Sequence, residues 1–500
     1  DHGSCKSAIL KAQSDQRDQR EQARACTTFL TKKNGMWEDR IWHEMRGRPR
    51  YQFDMISPVI DNIIGGFEKT VFNAKVTATR GGDKAGVKLR QGLLRSIQNW
   101  SDAPIIYKNL GRKYIMEGFG AFCVDFDYLD QDTFDKDLIL KEIKNAIDRV
   151  WLDPGSEKQD GSDANWSCEI QSVLADEFDT KFPDKDKSSF DTGVQYEAYS
   201  DKRTVINIVK FYYREPVDRE LVLMSDGSIY EAEEYEKLKG QMEEMGKTEV
   251  KRRKRTCYKV KCRYMSGTEW LTKPFDTPFE YQPIVPVYNQ FDIIEDKIVW
   301  NRPIEKMMDS QRVINYAKSR EVEEVALAPR KKIWLTPKQM KGHAKTLSTL
   351  NTNPNPVQEY NADQEIGNQI VTTGGPEVNP ALINVYTGAQ QSIEQTSGMF
   401  AASMGKNPND QSGEALKVLE ARGDMGNSSI YKDMEIAITQ AMRICMKAMA
   451  EVYDANRQVP VTEESGAVSI EDINQPKSLM TPQGMKSIIM NDLSDTSYDC

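Results

Sequence analysis

The residues best suited to chemistry form an acidic stretch between positions 125 and 137. Asp125 and Asp127 stand two positions apart in it, directly after an apolar run. On a β-strand this spacing turns both carboxylates to the same side, which is how a two-metal nuclease can present its ligands. A strand that leaves its sheet into a charged turn is the alternative interpretation.

Other catalytic motifs fail on spacing or residue type. Counted from Asp130, a calcium-binding loop would need Gly and Glu where Asp135 and Lys141 stand. A phosphate-binding loop would need Ser or Thr after Gly405-Lys406, where Asn407 stands. The chain has no G-x-S-x-G sequence and only three histidines. We therefore predict no catalytic, metal-binding or cofactor-binding residue and no cofactor, with a metal-dependent DNA-processing enzyme at the acidic stretch as the competing hypothesis.

Composition indicates a soluble globular protein. The 500 residues are enough for about two to four domains, and 39% hydrophobic with 29% charged residues is ordinary for this class. No apolar run approaches the ~20 residues of a membrane-spanning helix, and no signal segment opens the chain. The eight cysteines are scattered, so we expect reduced thiols and no secretion.

Charge restricts how the chain could meet nucleic acid. The formal net charge of −9 argues against a surface that coats nucleic acid throughout, although two basic strips remain. We interpret Lys251 to Arg255 as a solvated strand end that balances an acidic helix from Glu231 to Glu244. The second strip, Arg330-Lys331-Lys332 followed by Lys338, Lys341 and Lys345, could contact phosphates or an acidic partner.

Three long helical patterns dominate the second half of the chain. They run from Pro303 to Leu327, Pro380 to Phe400 and Ser412 to Tyr453, and each repeats apolar residues every three or four positions. Each helix must therefore bury one face. Gly423 and Gly426 in the third pattern predict a kink or two helices in line.

The first 300 residues are predicted to mix helices with strands. Residues 6–33 are polar, with charges on nearly all sides, so we expect residues 1–35 to form a helical arm or surface helix that contributes little to the fold. Residues 204–288 read as a β-rich unit that one helix interrupts, from Tyr230 to Met245. Other expected elements are a helix beginning at Ser57-Pro58, helices over Val87 to Ile97 and Ile105 to Ile115, and strands over Val71 to Thr79 and Ala121 to Tyr128.

A series of short strings follows in order along residues 46–455. They are Gly47-Arg48-Pro49, Gly118-Phe-Gly120-Ala-Phe-Cys-Val124, Phe134-Asp135-Lys-Asp137, Trp151-Leu-Asp153-Pro154, Asp160-Gly-Ser-Asp163-Ala164-Asn-Trp166, Phe182-Pro183, Met308-Asp309-Ser310-Gln311-Arg312-Val-Ile-Asn315-Tyr-Ala-Lys-Ser319, Thr396-Ser-Gly398-Met-Phe400 and Ser412-Gly413-Glu-Ala415. Together they resemble the P22-like family of tailed-phage portal proteins. Trp300-Asn301-Arg302 departs from the family, which often has a glycine at this place.

The resemblance implies an α+β, predominantly helical portal fold assembled as a ring of twelve copies. Its parts would be a wing over 36–300, stem helices over 301–327 and 377–402, a small α/β clip over 328–376, a tunnel loop over 403–411, and a channel helix with a helical crown over 412–500. Physical chemistry agrees, because helices with one buried face each can cover their remaining surface against neighbouring copies around a ring.

The same resemblance assigns candidate sites. The channel-facing loop would present Met404, Lys406, Asn407, Asn409, Asp410 and Gln411 to DNA, with Lys406 as its only cation. Lys406 either touches the DNA backbone weakly or is a solvated loop lysine. The clip candidates Arg330, Lys331, Lys332, Lys338 and Lys341 would meet a tail adaptor or a neighbouring subunit, and Gln311, Arg312 and Asn315 would belong to the stem.

The function implied is a head-to-tail connector at one capsid vertex. Double-stranded DNA would enter through it during packaging by the large terminase and leave through it during ejection. Other implied partners are a tail adaptor, the major capsid protein and scaffolding proteins, with no membrane. The protein would be assembled in the host cytoplasm and located in the virion.

Overall fold

A computed structural model gives the fold. It describes the chain except for residues 70–71, 73–74, 80–82, 131, 191–204, 226–228, 233–234, 237–238, 241–247, 328–331, 350–358, 364, 366–370, 374–379, 398–412, 482–483, 494–497 and 500. Helix exceeds strand, 44% to 27%, which confirms the mixed α and β character.

The named helices, in chain order, are α1 (His2–Asp15), α2 (Arg17–Thr31), α3 (Asp39–Glu44), α4 (Ser57–Lys69), α5 (Lys84–Trp100), α6 (Ala103–Glu117), α7 (Ala146–Arg149), α8 (Ala175–Lys181), α9 (Glu305–Leu327), α10 (Pro337–Met340), α11 (Ala344–Ser348), α12 (Pro380–Ser397) and α13 (Gly413–Val452).

The strands are β1 (Thr77–Ala78), β2 (Phe119–Tyr128), β3 (Lys136–Glu142), β4 (Val150–Leu152), β5 (Trp166–Leu174), β6 (Val205–Met224), β7 (Ile229–Glu231), β8 (Glu249–Met265), β9 (Phe275–Asp276), β10 (Ile284–Tyr288), β11 (Asp292–Ile294), β12 (Lys297–Val299), β13 (Lys332–Trp334), β14 (Val371–Thr373), β15 (Arg457–Thr462), β16 (Val468–Ile473), β17 (Gln475–Thr481), β18 (Gly484–Met490) and β19 (Tyr498–Asp499).

The chain divides into two compact units. The first comprises Asp1–Thr27, Ile60–Ile304 and Glu420–Cys500, and the second comprises Thr28–Val59 and Glu305–Leu419. The helices expected at Ser57-Pro58, Val87 to Ile97 and Ile105 to Ile115 are confirmed as α4, α5 and α6.

Antiparallel sheets organise the first unit. One has the order β4-β5-β6-β8-β9, with β7 also paired to β6, and another has the order β10-β2-β3. The predicted strand at Ala121 is confirmed within β2, and the β-rich region from residue 204 onward contains β6 and β8, the two longest strands. These strands follow from their density of Val, Ile and aromatic residues.

Two local predictions in the first unit are confirmed only in part. The helix expected from Tyr230 to Met245 is present in described residues between 232 and 240, but Tyr230 itself lies in β7, and residues 241–247 lie outside the described part of the chain. Of the strand expected from Val71 to Thr79, the described residues form only Thr77 and Ala78, which pair with β19. The length of β1 depends on its pairing with β19, which is far away along the chain, so the local sequence pattern does not predict it.

The amino-terminal helices are part of the core, so the expectation that they contribute little is wrong. Ile9 and Ala12 of α1 are fully buried in a cluster with Trp151 and Phe211. On α2, Arg20 is buried, donates to the carbonyl oxygen of Val150 at 2.8 Å and lies 3.6 Å from the Trp151 ring centroid. Burial lowers the pKa of Arg20 to about 10. The charges of these helices therefore gave the wrong prediction, because a guanidinium can be buried when carbonyl oxygens and an aromatic face surround it.

The carboxyl-terminal residues correct a second expectation. Instead of a helical crown, the described residues between 457 and 490 form two antiparallel strand pairs, β15 with β16 and β17 with β18. Val459 and Val461 of β15 are buried at alternate positions, which is the period of a strand. Asn474 links the hairpins in a left-handed conformation with φ of 52°, which asparagine adopts more readily than most residues.

The segment Trp300-Asn301-Arg302, which departs from the family pattern, packs closely against other residues of the first unit. Gly118 ends α6 with φ of 71°, and a Cβ atom there would lie 2.1 Å from the carbonyl oxygen of Asn301. Only glycine suits both the conformation and the close approach. The indole of Trp300 is buried and donates to the carbonyl oxygen of Glu117 at 3.2 Å, so this segment closes over the end of α6.

The second unit is built around two long helices, α9 and α12, with the extended residues 48–55 beside α9. Both helices fall where periodicity predicts them. Between them along the chain, β13 pairs with β14, and α10 and α11 are short helices. The described part of residues 328–376 therefore mixes short helices with short strands.

The third predicted long helix is confirmed as α13, which is continuous through Gly423 and Gly426. The alternative of two helices in line is wrong, because hydrogen bonding within the helix tolerates glycine at about 1 kcal/mol each. A kink at these glycines stays a prediction.

Candidate functional site

A buried polar stripe on α9 is the most organised polar feature among the candidate site residues. Gln311, Asn315, Ser319 and Glu323 recur every four positions, so they lie one above another on a single helix face. The first three are completely buried, and Glu323 is nearly so. Polar groups removed from water in this way need partners, since each unpaired one costs about 1–3 kcal/mol.

The partners are main-chain groups of the extended segment 48–55, which we call the strap. The backbone N–H groups of Met55, Phe53 and Tyr51 donate to the side chains of Gln311 at 3.0 Å, Asn315 at 2.9 Å and Ser319 at 3.0 Å respectively. The amide of Gln311 returns a hydrogen bond to the carbonyl oxygen of Phe53 at 2.7 Å.

Helix and strand geometry explain this match. Four residues of an α-helix rise about 6 Å, and two residues of an extended chain advance about 6.7 Å. Every second strap amide therefore meets the next stripe side chain, with strap and helix running in opposite directions. A shift of one residue would turn these amides away from the helix, so the contact fixes the register of the strap.

Glu323 completes the stripe with charge. Its carboxylate lies 3.5 Å from Nε of Arg48 and 2.7 Å from a terminal guanidinium nitrogen of Arg320. The hydrogen bond to Glu323 raises the pKa of Arg320. Arg48 belongs to the Gly47-Arg48-Pro49 string, so the strap begins with one of the residues that carry the family resemblance.

Arg312 lies beside the stripe and not within it. Its guanidinium pairs with Asp309 at 2.8 Å, lies 4.0 Å from Glu38 and stands 5.5 Å from the centroid of the Phe29 ring. Of the three predicted stem residues, the structure thus brings Gln311 and Asn315 together. Ser319 and Glu323 were missed, although a polar residue at every fourth position of a buried helix face is a readable signal.

The two long helices of the second unit pack face to face. The hydroxyls of Ser310 and Ser392 are 3.1 Å apart, and the ammonium of Lys318 lies 4.2 Å from the Tyr386 ring centroid. The same helices expose apolar side chains elsewhere on their surfaces: Val313, Tyr316, Val322, Val325, Ile383 and Val385. The pair therefore covers only part of its apolar surface within one chain.

The predicted tunnel-loop residues Met404, Lys406, Asn407, Asn409, Asp410 and Gln411 lie outside the described residues, as do the clip candidates Arg330 and Lys331. Lys332 is in β13, Lys338 forms an exposed ion pair with Glu365 at 2.8 Å, and Lys341 is exposed. Their contacts with partners stay predictions.

The helix that follows the predicted tunnel loop is anchored in the first unit through Asp433. Its carboxylate accepts the hydroxyl of Tyr114 at 2.6 Å and the side-chain amide of Gln159 at 2.9 Å. Burial, followed by the nearby charge of Asp433, raises the pKa of Tyr114, so the phenol stays a neutral donor. Gln159 adjoins the Asp160-Gly-Ser-Asp163 string, which places that string close to α13.

The acidic stretch does not form the paired-carboxylate arrangement of a two-metal site. Asp125 and Asp127 do share one side of β2, but Lys141 lies 3.0 Å from Asp125 and 3.8 Å from Asp127, and Lys210 lies 3.6 Å from Asp125. Ammonium groups thus occupy the space where a cation would sit. Among the described residues, no group of three or more His, Cys, Asp or Glu side chains is placed to hold a metal ion.

Side-chain hydrogen bonds that fix a backbone segment, together with helices that expose apolar surface, are typical of a structural protein that associates with other chains. The model of the phage P22-like portal protein family matches residues 6–500, and the chain belongs to this family. The portal protein of Acyrthosiphon pisum secondary endosymbiont phage 1 is 24% identical over 525 residues, which cover 98% of this chain and 71% of that protein.

Family membership confirms a portal role in a phage, a structural character and a place in the capsid. Across the described part of the chain, no helix is both long and apolar enough to cross a membrane.

Proposed function

We propose that this chain forms a closed ring, with twelve copies, whose central channel carries double-stranded DNA at one capsid vertex. The terminase motor packages the genome through this channel, and the genome leaves through it during ejection. The ring is assembled in the host cytoplasm with the major capsid and scaffolding proteins.

One observation carries the proposal: the α9 and α12 pair buries one side internally and exposes apolar side chains, among them Val325 and Ile383, on other sides. Identical pairs in neighbouring copies cover such surfaces when the contact is heterologous and the rotation closes. The family match over nearly the whole chain supports the same assembly.

Within the ring, we assign α9 and α12 to the stem, residues 328–376 to the clip and residues 403–411 to the channel-facing tunnel loop. The basic clip residues dock the tail adaptor. A net charge of −9 suits a conduit, because duplex DNA carries one negative charge per ~1.7 Å and must slide without adhering.

Deleting residues 404–411 tests the assignment of the tunnel loop. We expect rings of unchanged mass that package or retain less DNA, since the loop would contact DNA and not a neighbouring stem. A matched variant, Lys406→Gln, removes only the charge and should have the smaller effect. Failure of the deleted chain to form rings would show that the loop is structural.

The metal-dependent enzyme at Asp125 and Asp127 is not supported by any specific observation, because lysines neutralise both carboxylates and the family is structural.

A further inference from the structure

The outer part of the six-stranded sheet is a ribbon of two long strands, residues 215–223 of β6 and 251–259 of β8. The pairs Leu221 with Arg253 and Arg219 with Arg255 show that odd-numbered residues of both strands share one face. We call this the odd face, and the opposite one the even face. Residues 249–256 are exposed throughout.

Carboxylates balance the cations of the even face. Arg252 pairs with Glu249 at 2.7 Å and with Glu236 at 2.9 Å, which confirms in part the expected balance with an acidic helix. Lys254 stands opposite Glu220 in the register. Tyr235, packed on Val222, covers the end of this face.

The odd face is different, because Lys251, Arg253 and Arg255 follow one another along it, while its carboxylate, Glu215, lies at the opposite end of the ribbon, across from Lys259. In the described part of the chain, no carboxylate pairs with Lys251, Arg253 or Arg255. Leu221 and Leu223, which share this face, are half-buried, so the cations are its most exposed groups. A chain with net charge −9 thus concentrates positive charge on one side of one ribbon.

We propose that the odd face binds the phosphate backbone of duplex DNA outside the channel. Its cations repeat about every 6.7 Å along a strand, and a two-stranded ribbon is narrow enough for the ~12 Å major groove. Duplex DNA offers a continuous row of phosphates to this row of cations. An acidic protein surface would bind equally well only if its carboxylates had the same spacing as the cations. Because no base-reading geometry is involved, the binding is independent of DNA sequence.

The choice of duplex DNA as ligand rests on the proposed function, but the test does not. Covalently closed circular DNA has no end to thread into a ring, so its binding to the full-length protein reports on outer surfaces alone. Ring mass and packaging test the portal role separately, so either proposal can fail without the other.

Two double variants separate the faces. Lys251→Gln with Arg253→Gln changes the odd face, and Arg252→Gln with Lys254→Gln removes the same residue types and charge from the even face. Each phosphate contact contributes about 0.9 to the salt dependence of binding. The odd-face variant should therefore lower that slope by about 1.8, so that raising salt from 50 to 200 mM weakens binding about tenfold less than in the unchanged protein.

The even-face variant should bind closed circular DNA like the unchanged protein. Equal losses in both variants would overturn the proposal, as they would reflect net charge and not a site. Unchanged DNA binding by the odd-face variant would overturn it as well. If that variant kept DNA binding but lost association between copies, the face would belong to a subunit contact instead.

Discussion

At the scale of single residues, the polar stripe shows how a helix can hold an extended segment without a β-sheet. Gln311, Asn315 and Ser319 supply the acceptors that a neighbouring strand would otherwise give to the amides of the strap. These three contacts involve the strap's main chain, so they specify its register and direction. Burial makes each contact costly to lose.

Replacing Asn315 with Leu tests this directly. The variant keeps the side-chain volume but leaves the Phe53 amide without an acceptor, at a cost of about 1–3 kcal/mol. Amide hydrogen exchange across residues 51–55 should accelerate by about 5- to 150-fold, the equivalent of that free energy. Val313→Ala, on an exposed position of the same helix, should leave the exchange rate nearly unchanged. Equal protection in Asn315→Leu would show that the stripe does not hold the strap.

At the scale of elements, burial distinguishes two isoleucines of α12. Ile393 is only 3% exposed, whereas Ile383, on the same helix, is 51% exposed. Ile393 therefore contributes to the stability of a single chain, whereas Ile383 belongs to the surface that we assign to contacts between copies.

Ile393→Ala should therefore destabilise the second unit by about 2–5 kcal/mol, because it leaves a cavity. Ile383→Ala should change the free energy of unfolding of the isolated chain by about 0.5 kcal/mol or less, as exposed substitutions do. Urea unfolding of both variants, followed by tryptophan fluorescence and circular dichroism, measures the difference. Comparable destabilisation by the two would contradict the packing described for this helix pair.

The sequence was sufficient to predict the elements whose pattern is local and long. Periodicity predicted α9, α12 and α13 with first residues within about two positions, and the density of Val, Ile and aromatic residues indicated the β-rich part of the first unit. It did not predict the strap, since residues 48–55 have no period of their own and are ordered by a helix far along the chain.

The other incorrect or incomplete predictions concern residues whose structure depends on contacts with distant parts of the chain. The burial of Arg20 depends on carbonyls and an aromatic ring about 130 residues away, so charge alone suggested a solvated helix. The hairpins formed by β15 to β18 were not predicted, because the family resemblance implied a helical crown there. The alternating valines of β15 nevertheless favour a strand. Gln311 and Asn315 were selected from the resemblance, and their actual role became clear only from their partners.

At the scale of the whole molecule, the distribution of charge matches the two kinds of contact proposed with DNA. A net charge of −9 suits the proposed channel, through which DNA must slide, while the exposed cations of the odd face would offer weak, salt-dependent binding elsewhere. The apolar surface left exposed on α9 and α12 has the opposite requirement, since in the proposed ring neighbouring copies would cover it.

The central claim is that this chain closes into a ring, and the mass of the purified full-length protein tests it most directly. Native mass spectrometry should give one dominant species near twelve times the mass of a single chain, with top views in the electron microscope showing a central channel. A monomer or small oligomer that cleaves DNA in the presence of Mg²⁺ would contradict the account.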